Sequence, residues 1–234
     1  VVAGFIMPFN EIAAAFEEKT GVKVDVSFSS AGRLYGQIIY GAPYDIFLSA
    51  DRERPDLLYS QELCERPFLY AQGELVLWSA DKGFCEADNW RSALGRRDGI
   101  QKIAIVNPGT GVHGERAMLA LQDAGLWNDV LSELVYAPDM AQVFQWATEH
   151  AVAAAFCPRA LAYTEKGRQG CFYEVKEVPA VVYSACLIKG SSSSKGAENL
   201  AAFLLSEEAE AIKIRYGYGQ TSNADNHAKE GEVK

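Results

Sequence analysis

Nowhere in this 234-residue chain does an apolar run approach the roughly 18 residues that cross a bilayer, so no direct membrane insertion is expected. Basic residues are scarce: 22 Lys and Arg stand against 31 Asp and Glu, giving a formal net charge of -9. That balance excludes nonspecific nucleic-acid binding, which needs clustered Lys and Arg against phosphates. Only three histidines occur, His113, His150 and His227, each on a separate segment, so no metal site is signalled. There is no G-x-S-x-G elbow, P-loop, H-E-x-x-H or G-x-G-x-x-G, and Gly109-Thr110-Gly111 lacks the third glycine and its acidic follower. Cys157 with His113 would make a nucleophile and base without a third orienting group. Neither an enzyme nor a cofactor is expected. The five cysteines, Cys64, Cys85, Cys157, Cys171 and Cys186, form no C-x-x-C pair, and their odd number leaves at least one thiol free within the chain.

Hydrophobic residues make up 49% and charged residues 23%, an ordinary globular balance. The length suits one large domain or two lobes of roughly 100 to 130 residues, each able to bury a core. Val1-Val2-Ala3-Gly4 is strand-like, and apolar Ile12, Ala13 and Phe16 mark a helix over Asn10 to Lys19 that Thr20-Gly21 ends. Val22, Val24, Val26 and Phe28 alternate as a strand. A helix from Arg33 to Tyr40, closed by Gly41, leads to the apolar run Ile46-Phe47-Leu48. This β-α-β-α-β order calls for a parallel sheet with right-handed crossovers. Further strands are expected at Leu75 to Trp78, Lys102 to Val106, Ala153 to Phe156 and Ala180 to Ile188. Helices are expected at Glu115 to Ala124, Ala141 to His150, Glu198 to Leu205 and Glu207 to Tyr216. Gly190 to Gly196 reads as a surface loop, and the polar tail Ser222 to Lys234 as disordered.

The segment Gly41-Ala42-Pro43-Tyr44-Asp45-Ile46-Phe47-Leu48-Ser49-Ala50-Asp51 resembles the GAPxDxFxSAD segment of periplasmic molybdate-binding proteins, the oxyanion receptors of ABC importers. Gly21-Val22-Lys23-Val24 leading to Ser29-Ser30, Asn107-Pro108 leading to Gly114, Gly125-Leu126-Trp127 and Arg215-Tyr216-Gly217 follow in the family's order, covering almost the whole chain. The resemblance implies a type II periplasmic binding fold: an α/β protein of two lobes, each a mostly parallel sheet flanked by helices, with two crossing strands as hinge. Those strands are placed near Leu75 to Ala80 and Tyr183 to Lys189. Lobe 1 is expected at 1–77 plus 187–221 and lobe 2 at 78–186. The resemblance further implies an anion held in the cleft by helix N-termini and backbone N–H groups, with no obligatory cation.

Aligned with the family, the first ligand serine falls at Gly4, beside Phe5, and the second at Ala31, between Ser30 and Gly32. A slip of one residue would return Ser30 to the site. In lobe 2 the family's donor positions fall at His113 with Gly114, at Met140 or Ala141, and at Cys157 in place of a tyrosine. A thiol is a weak donor beside a phenol. Arg33 and Arg159 lie on the same loops, and either could fork a planar anion. The expectation is thus a monomeric extracytoplasmic receptor for a small oxyanion, molybdate or tungstate by family, serving ABC permease subunits, with a signal peptide or lipid anchor upstream of Val1. One alternative is the same scaffold holding a larger or organic anion, because Gly4 and Ala31 replace hydroxyls. Another is a cytoplasmic ligand-sensing domain of a transcriptional regulator, against which the chain offers no helix-turn-helix or basic segment.

Overall fold

The computed structural model describes residues 1–95, 102–190 and 194–219. The expected disordered tail, 222–234, and much of the expected loop at 190–196 lie outside the described residues. The chain divides into two units, Val1–Gln72 with Val182–Lys234, and Gly73–Val181. The sequence reading put these passages at 77/78 and 186/187.

Unit 1 begins with a 3-10 turn, Ala3–Phe5, that leads into helix α1, Ile6–Thr20. This helix starts before the expected Asn10 because Pro8 sits in its first turn, where a missing N–H costs nothing. Phe9, Ile12 and Phe16 form its buried stripe, and Gly21 ends it in the left-handed region at φ 70. The strand expected over Val22 to Phe28 does not form. Its alternating valines are present, but Val22 to Phe28 joins no sheet, a parallel bridge, Val2↔Ser29, forms just after it, and Val22 and Val26 remain 37% and 38% exposed. Val1 to Gly4 likewise contributes that bridge and a turn rather than a strand.

Helix α2, Ala31–Ile39, strand β1, Ile46–Ser49, helix α3, Glu53–Ser60, and strand β2, Phe68–Gly73, follow. The chain enters unit 2 at Gly73, so the strand expected to cross near Leu75 to Ala80 is instead an internal member of the second sheet.

Unit 2 contains β3, Leu75–Ser79; α4, Trp90–Gly95; β4, Ile103–Val106; α5, Val112–Asp123; and α6, Trp127–Val130. It continues through β5, Leu134–Ala137; α7, Met140–Thr148; β6, Ala154–Pro158; α8, Arg159–Ala162; and β7, Cys171–Glu174. Its sheet has the order β5-β4-β6-β3-β7. β4 runs parallel to β5 and β6, while β3 runs antiparallel to β6 and β7. Both faces are covered: Leu75, Leu77, Ile103, Ile105 and Phe156 pack with Trp90, Ala117 and Leu121, and Val76, Trp78, Ala104, Val106 and Cys157 pack with Met140 and Val143. That explains why β4 reads as a continuous apolar run. A disulfide, Cys85–Cys171, fastens β7 to the segment before α4, and Cys64, Cys157 and Cys186 are free and buried.

The chain returns to unit 1 through β8, Val181–Leu187, followed by α9, Ser194–Leu204, and α10, Glu207–Arg215. The unit 1 sheet has the order β1-β8-β2, with β1 antiparallel to β8 from Ile46↔Leu187 to Ser49↔Ser184. The α/β class with two helix-flanked sheets is as expected, with more antiparallel pairing than a mostly parallel sheet implies. Phe5 stacks edge-on at 5.0 Å against both Tyr70 and Tyr218 at the centre of the unit 1 core. The fully buried Lys213 of α10 donates to the Tyr70 carbonyl at 2.6 Å and pairs with Glu210 at 2.5 Å, which fixes the last helix against β2. Among the described residues, no helix is long and apolar enough to cross a membrane.

Candidate functional site

In unit 1 the expected ligand residues fall on two adjoining segments. The Ala3 N–H donates to the Ser29 carbonyl at 2.9 Å, which brings the Gly4-Phe5 turn against the Ser29–Arg33 loop. Gly4 and Phe5 are both buried, and the Gly4 carbonyl accepts the Tyr218 hydroxyl at 2.9 Å, so this turn is fixed from behind. Ser30 caps α2: its backbone is extended at φ -69, ψ 152, and its Oγ accepts the Arg33 N–H at 3.4 Å. The same orphan N–H groups at a helix N-terminus attract anions. Ser30 and Ala31 are nearly covered, whereas the Arg33 side chain is exposed.

The Ser49-Ala50-Asp51 loop that ends β1 is held by a polar network of its own. Both carboxylate oxygens of Asp51 are engaged, Oδ1 by the Arg54 N–H at 2.8 Å, and Oδ2 by the Ser49 hydroxyl at 3.0 Å and Arg54 Nη1 at 2.7 Å. This network starts α3 and locks the loop. Sequence reasoning found the motif but not the arginine that completes it.

In unit 2 the expected residues share one edge of the sheet. β5, β4 and β6 are adjacent and parallel, so the connections leaving their C-terminal ends, toward α5, α7 and α8, emerge together. That edge of an open α/β sheet is where ligands bind. Asn107 builds the first connection: its Oδ1 accepts the Gly109 N–H at 2.9 Å, and its carbonyl accepts those of Thr110 and Gly111 at 3.0 and 3.1 Å. Gly114 lets α5 lie on the strand end, since a Cβ there would stand 2.0 Å from the Val106 carbonyl. His113 is buried in the first turn of α5, where burial, and then the Arg116 guanidinium, pull its pKa down to about 4. It is therefore a neutral imidazole at pH 7. The imidazole thus adds no charge of its own to the positive end of α5.

Met140 and Ala141 open α7, the first buried and the second exposed, behind the cap Asp139, whose Oδ1 accepts the Gln142 N–H at 3.0 Å. Cys157 is fully buried within the apolar cluster between β3 and α7, and burial pushes its thiol pKa far up, so it stays a protonated, packed side chain. Arg159, expected to fork an anion, is instead engaged by its own unit: Nη1 lies 2.5 Å from Glu74 and 3.5 Å from Glu174. Its partners, Glu74 just ahead of β3 and Glu174 in β7, are distant in sequence, and no local signal announces them. Among the described residues, no group of three or more His, Cys, Asp or Glu could hold a metal ion.

The model of one protein family, described as bacterial extracellular solute-binding protein, matches residues 1–219. The molybdate-binding protein of Azotobacter vinelandii is 31% identical over 229 residues, covering 94% of this chain and 88% of that protein. Its counterpart in Rhodobacter capsulatus is 30% identical over 220 residues, covering 93% of this chain and 86% of the relative. A solved structure of the Azotobacter vinelandii periplasmic molybdate-binding protein superposes with a TM-score of 0.88 at 28% identity, covering 94% of this chain and 98% of that one.

Proposed function

The chain belongs to the bacterial extracellular solute-binding protein family, and on that premise we propose that it captures a small tetrahedral oxyanion, molybdate or tungstate, outside the cytoplasm for an ABC importer. The observation that carries this reading is the likeness to two molybdate-binding proteins along nearly the full chain. The donor chemistry agrees with it. In unit 1 the amides opening α2, and in unit 2 the amides opening α5 beside the neutral His113 imidazole, each supply dipoles of the kind that favour an anion. The Cys85–Cys171 disulfide suits an oxidising compartment.

A second reading keeps the scaffold and changes the guest to a larger or organic anion. Gly4 and Ala31 favour it, because neither position offers a hydroxyl and both side chains are smaller than serine. Isothermal calorimetry of the ligand-stripped protein decides between them. Saturable heat with molybdate and tungstate, and none with sulfate or small carboxylates, is expected for the first reading. Heat with a carboxylate alone transfers the assignment to the second, and silence with both metal oxyanions removes the first.

A further inference from the structure

Two of the free, buried thiols, Cys64 and Cys186, belong together in unit 1, and the proposed anion chemistry uses neither. Cys186 lies in β8, and Cys64 lies on the strap of residues 61–66 that follows α3. Cys64 faces Ile188 across an antiparallel bridge, flanked by the Glu65 N–H on the Leu187 carbonyl at 2.7 Å and the Lys189 N–H on the Leu63 carbonyl at 2.9 Å. Side chains two residues apart on a strand share a face, so Cys186 stands on the same side as Ile188 and Cys64. The two thiols are hydrogen-bonded to each other. Helix α3 closes over Cys64, whose thiol lies 3.7 Å from the Pro55 carbonyl.

The two members of the pair are held differently. Cys186 belongs to the central strand of its sheet, whereas Cys64 is buried between exposed neighbours, Gln61, Glu62 and Leu63 on one side and Glu65 and Arg66 on the other. Glu62 adopts φ 60, a left-handed conformation that residues other than glycine rarely take. A strap with one buried residue opens at less cost than a central strand, so Cys64 is the thiol that meets solvent first. Its chemistry suits that place. The hydrogen bond from Cys186, and then the charge of Lys189, hold the Cys64 thiol below the usual range despite burial, while the same bond and burial hold Cys186 above it.

From this arrangement we infer that Cys64 and Cys186 are a redox-active pair, in which Cys64 attacks an external disulfide and Cys186 resolves the product, closing a second disulfide in the chain. In the first step the Cys64 thiolate, its proton given to water, displaces one half of a small disulfide such as oxidised glutathione, and that half leaves as a thiolate. The Cys186 sulfur then attacks Cys64 of the mixed disulfide. The Cys64–Cys186 bond forms, the bond to the second half breaks, and the departing thiolate takes the proton that Cys186 loses. Two thiols of the chain are oxidised, and one external disulfide is reduced to two thiols. An S–S bond needs sulfurs at about 2.0 Å, closer than a thiol hydrogen bond, and the exposed strap is the part able to make that approach. The new bond would close a loop of chain that contains all of Gly73–Val181.

The test treats the folded chain with a thiol reductant, removes it, adds oxidised glutathione, then quenches with acid, alkylates and maps each cysteine peptide by mass. Cys157, packed in the unit 2 core with its thiol held far above the usual range by burial, reports general unfolding. The expected product is a joined Cys64–Cys186 peptide, formed at least about tenfold faster than Cys157 is modified. In Cys186→Ala, glutathione should stay on Cys64, and in Cys64→Ala, Cys186 should stay unmodified, with Cys157 protected in both as the sign that each variant is folded. Should a variant expose Cys157, the ratio of rates in the parent decides alone. Thiols at 64 and 186 that still alkylate in full, or that react only in step with Cys157, overturn the inference. So does glutathione that persists on Cys64 of the parent, because Cys186 would then have no resolving role.

Discussion

His113 shows how one buried side chain links stability to pH. Its imidazole stays neutral down to about pH 4 in the folded chain, against an ordinary value of 6.5. Between those values the unfolded chain binds a proton that the folded chain refuses, so stability is full above pH 6.5 and is lost as pH falls toward 4. Two to three pKa units correspond to roughly 3 kcal/mol. Urea midpoints at pH 7 and pH 5 should therefore fall more in the parent than in His113→Gln, which has no proton to refuse. An equal fall in both would assign the pH dependence to other groups. Residues of this kind were partly legible in the sequence. His113 and Gly114 could be placed at a helix start, since local order sets that. The burial that keeps the imidazole neutral could not be read, nor could the Glu74 and Glu174 carboxylates that engage Arg159, because both depend on which strands become neighbours.

Elements were legible where the pattern belonged to one segment and failed where it required a partner. Ile12 and Phe16 mark α1 by themselves, and Lys102 to Val106 announces a buried strand. Val22 to Phe28 carries an equally clear period of two, yet a strand exists only beside another strand. β7 was missed because Cys171–Glu174 is short and only half buried. The Cys85–Cys171 bridge could not be chosen from five cysteines by spacing alone, since pairing is decided by β7 docking beside β3. This bridge joins residues with a sequence separation of 86, and in the chain-entropy view a loop of that size contributes on the order of 4 kcal/mol. Replacing both cysteines by serine should lower the urea midpoint strongly. Cys157→Ser should act through a separate route, by placing a hydroxyl in the apolar cluster around Val76 and Val143. If reductant leaves the parent's midpoint unchanged, the bridge carries none of this stability.

At the scale of the whole molecule, the charge of -9 opposes the dianion that the chain is proposed to capture. The helix ends attract an anion, but their field fades within about one turn, so at long range the net charge prevails. For charges of -9 and -2 separated by about 20 Å in water, the unscreened repulsion is about 4 kcal/mol. At 0.15 M salt, with a Debye length of about 8 Å, it drops below ~0.5 kcal/mol. Association of molybdate should therefore accelerate as salt increases from 10 mM to 150 mM, by about tenfold if the charge is evenly spread, the reverse of a receptor with a basic funnel. Stopped-flow fluorescence from the four tryptophans can follow it. On the proposed recognition by backbone amides, dissociation should change far less over the same range. A rate that falls steeply with salt would mean that exposed cations such as Arg33 steer the anion, and would shift the recognition from neutral dipoles to fixed charge.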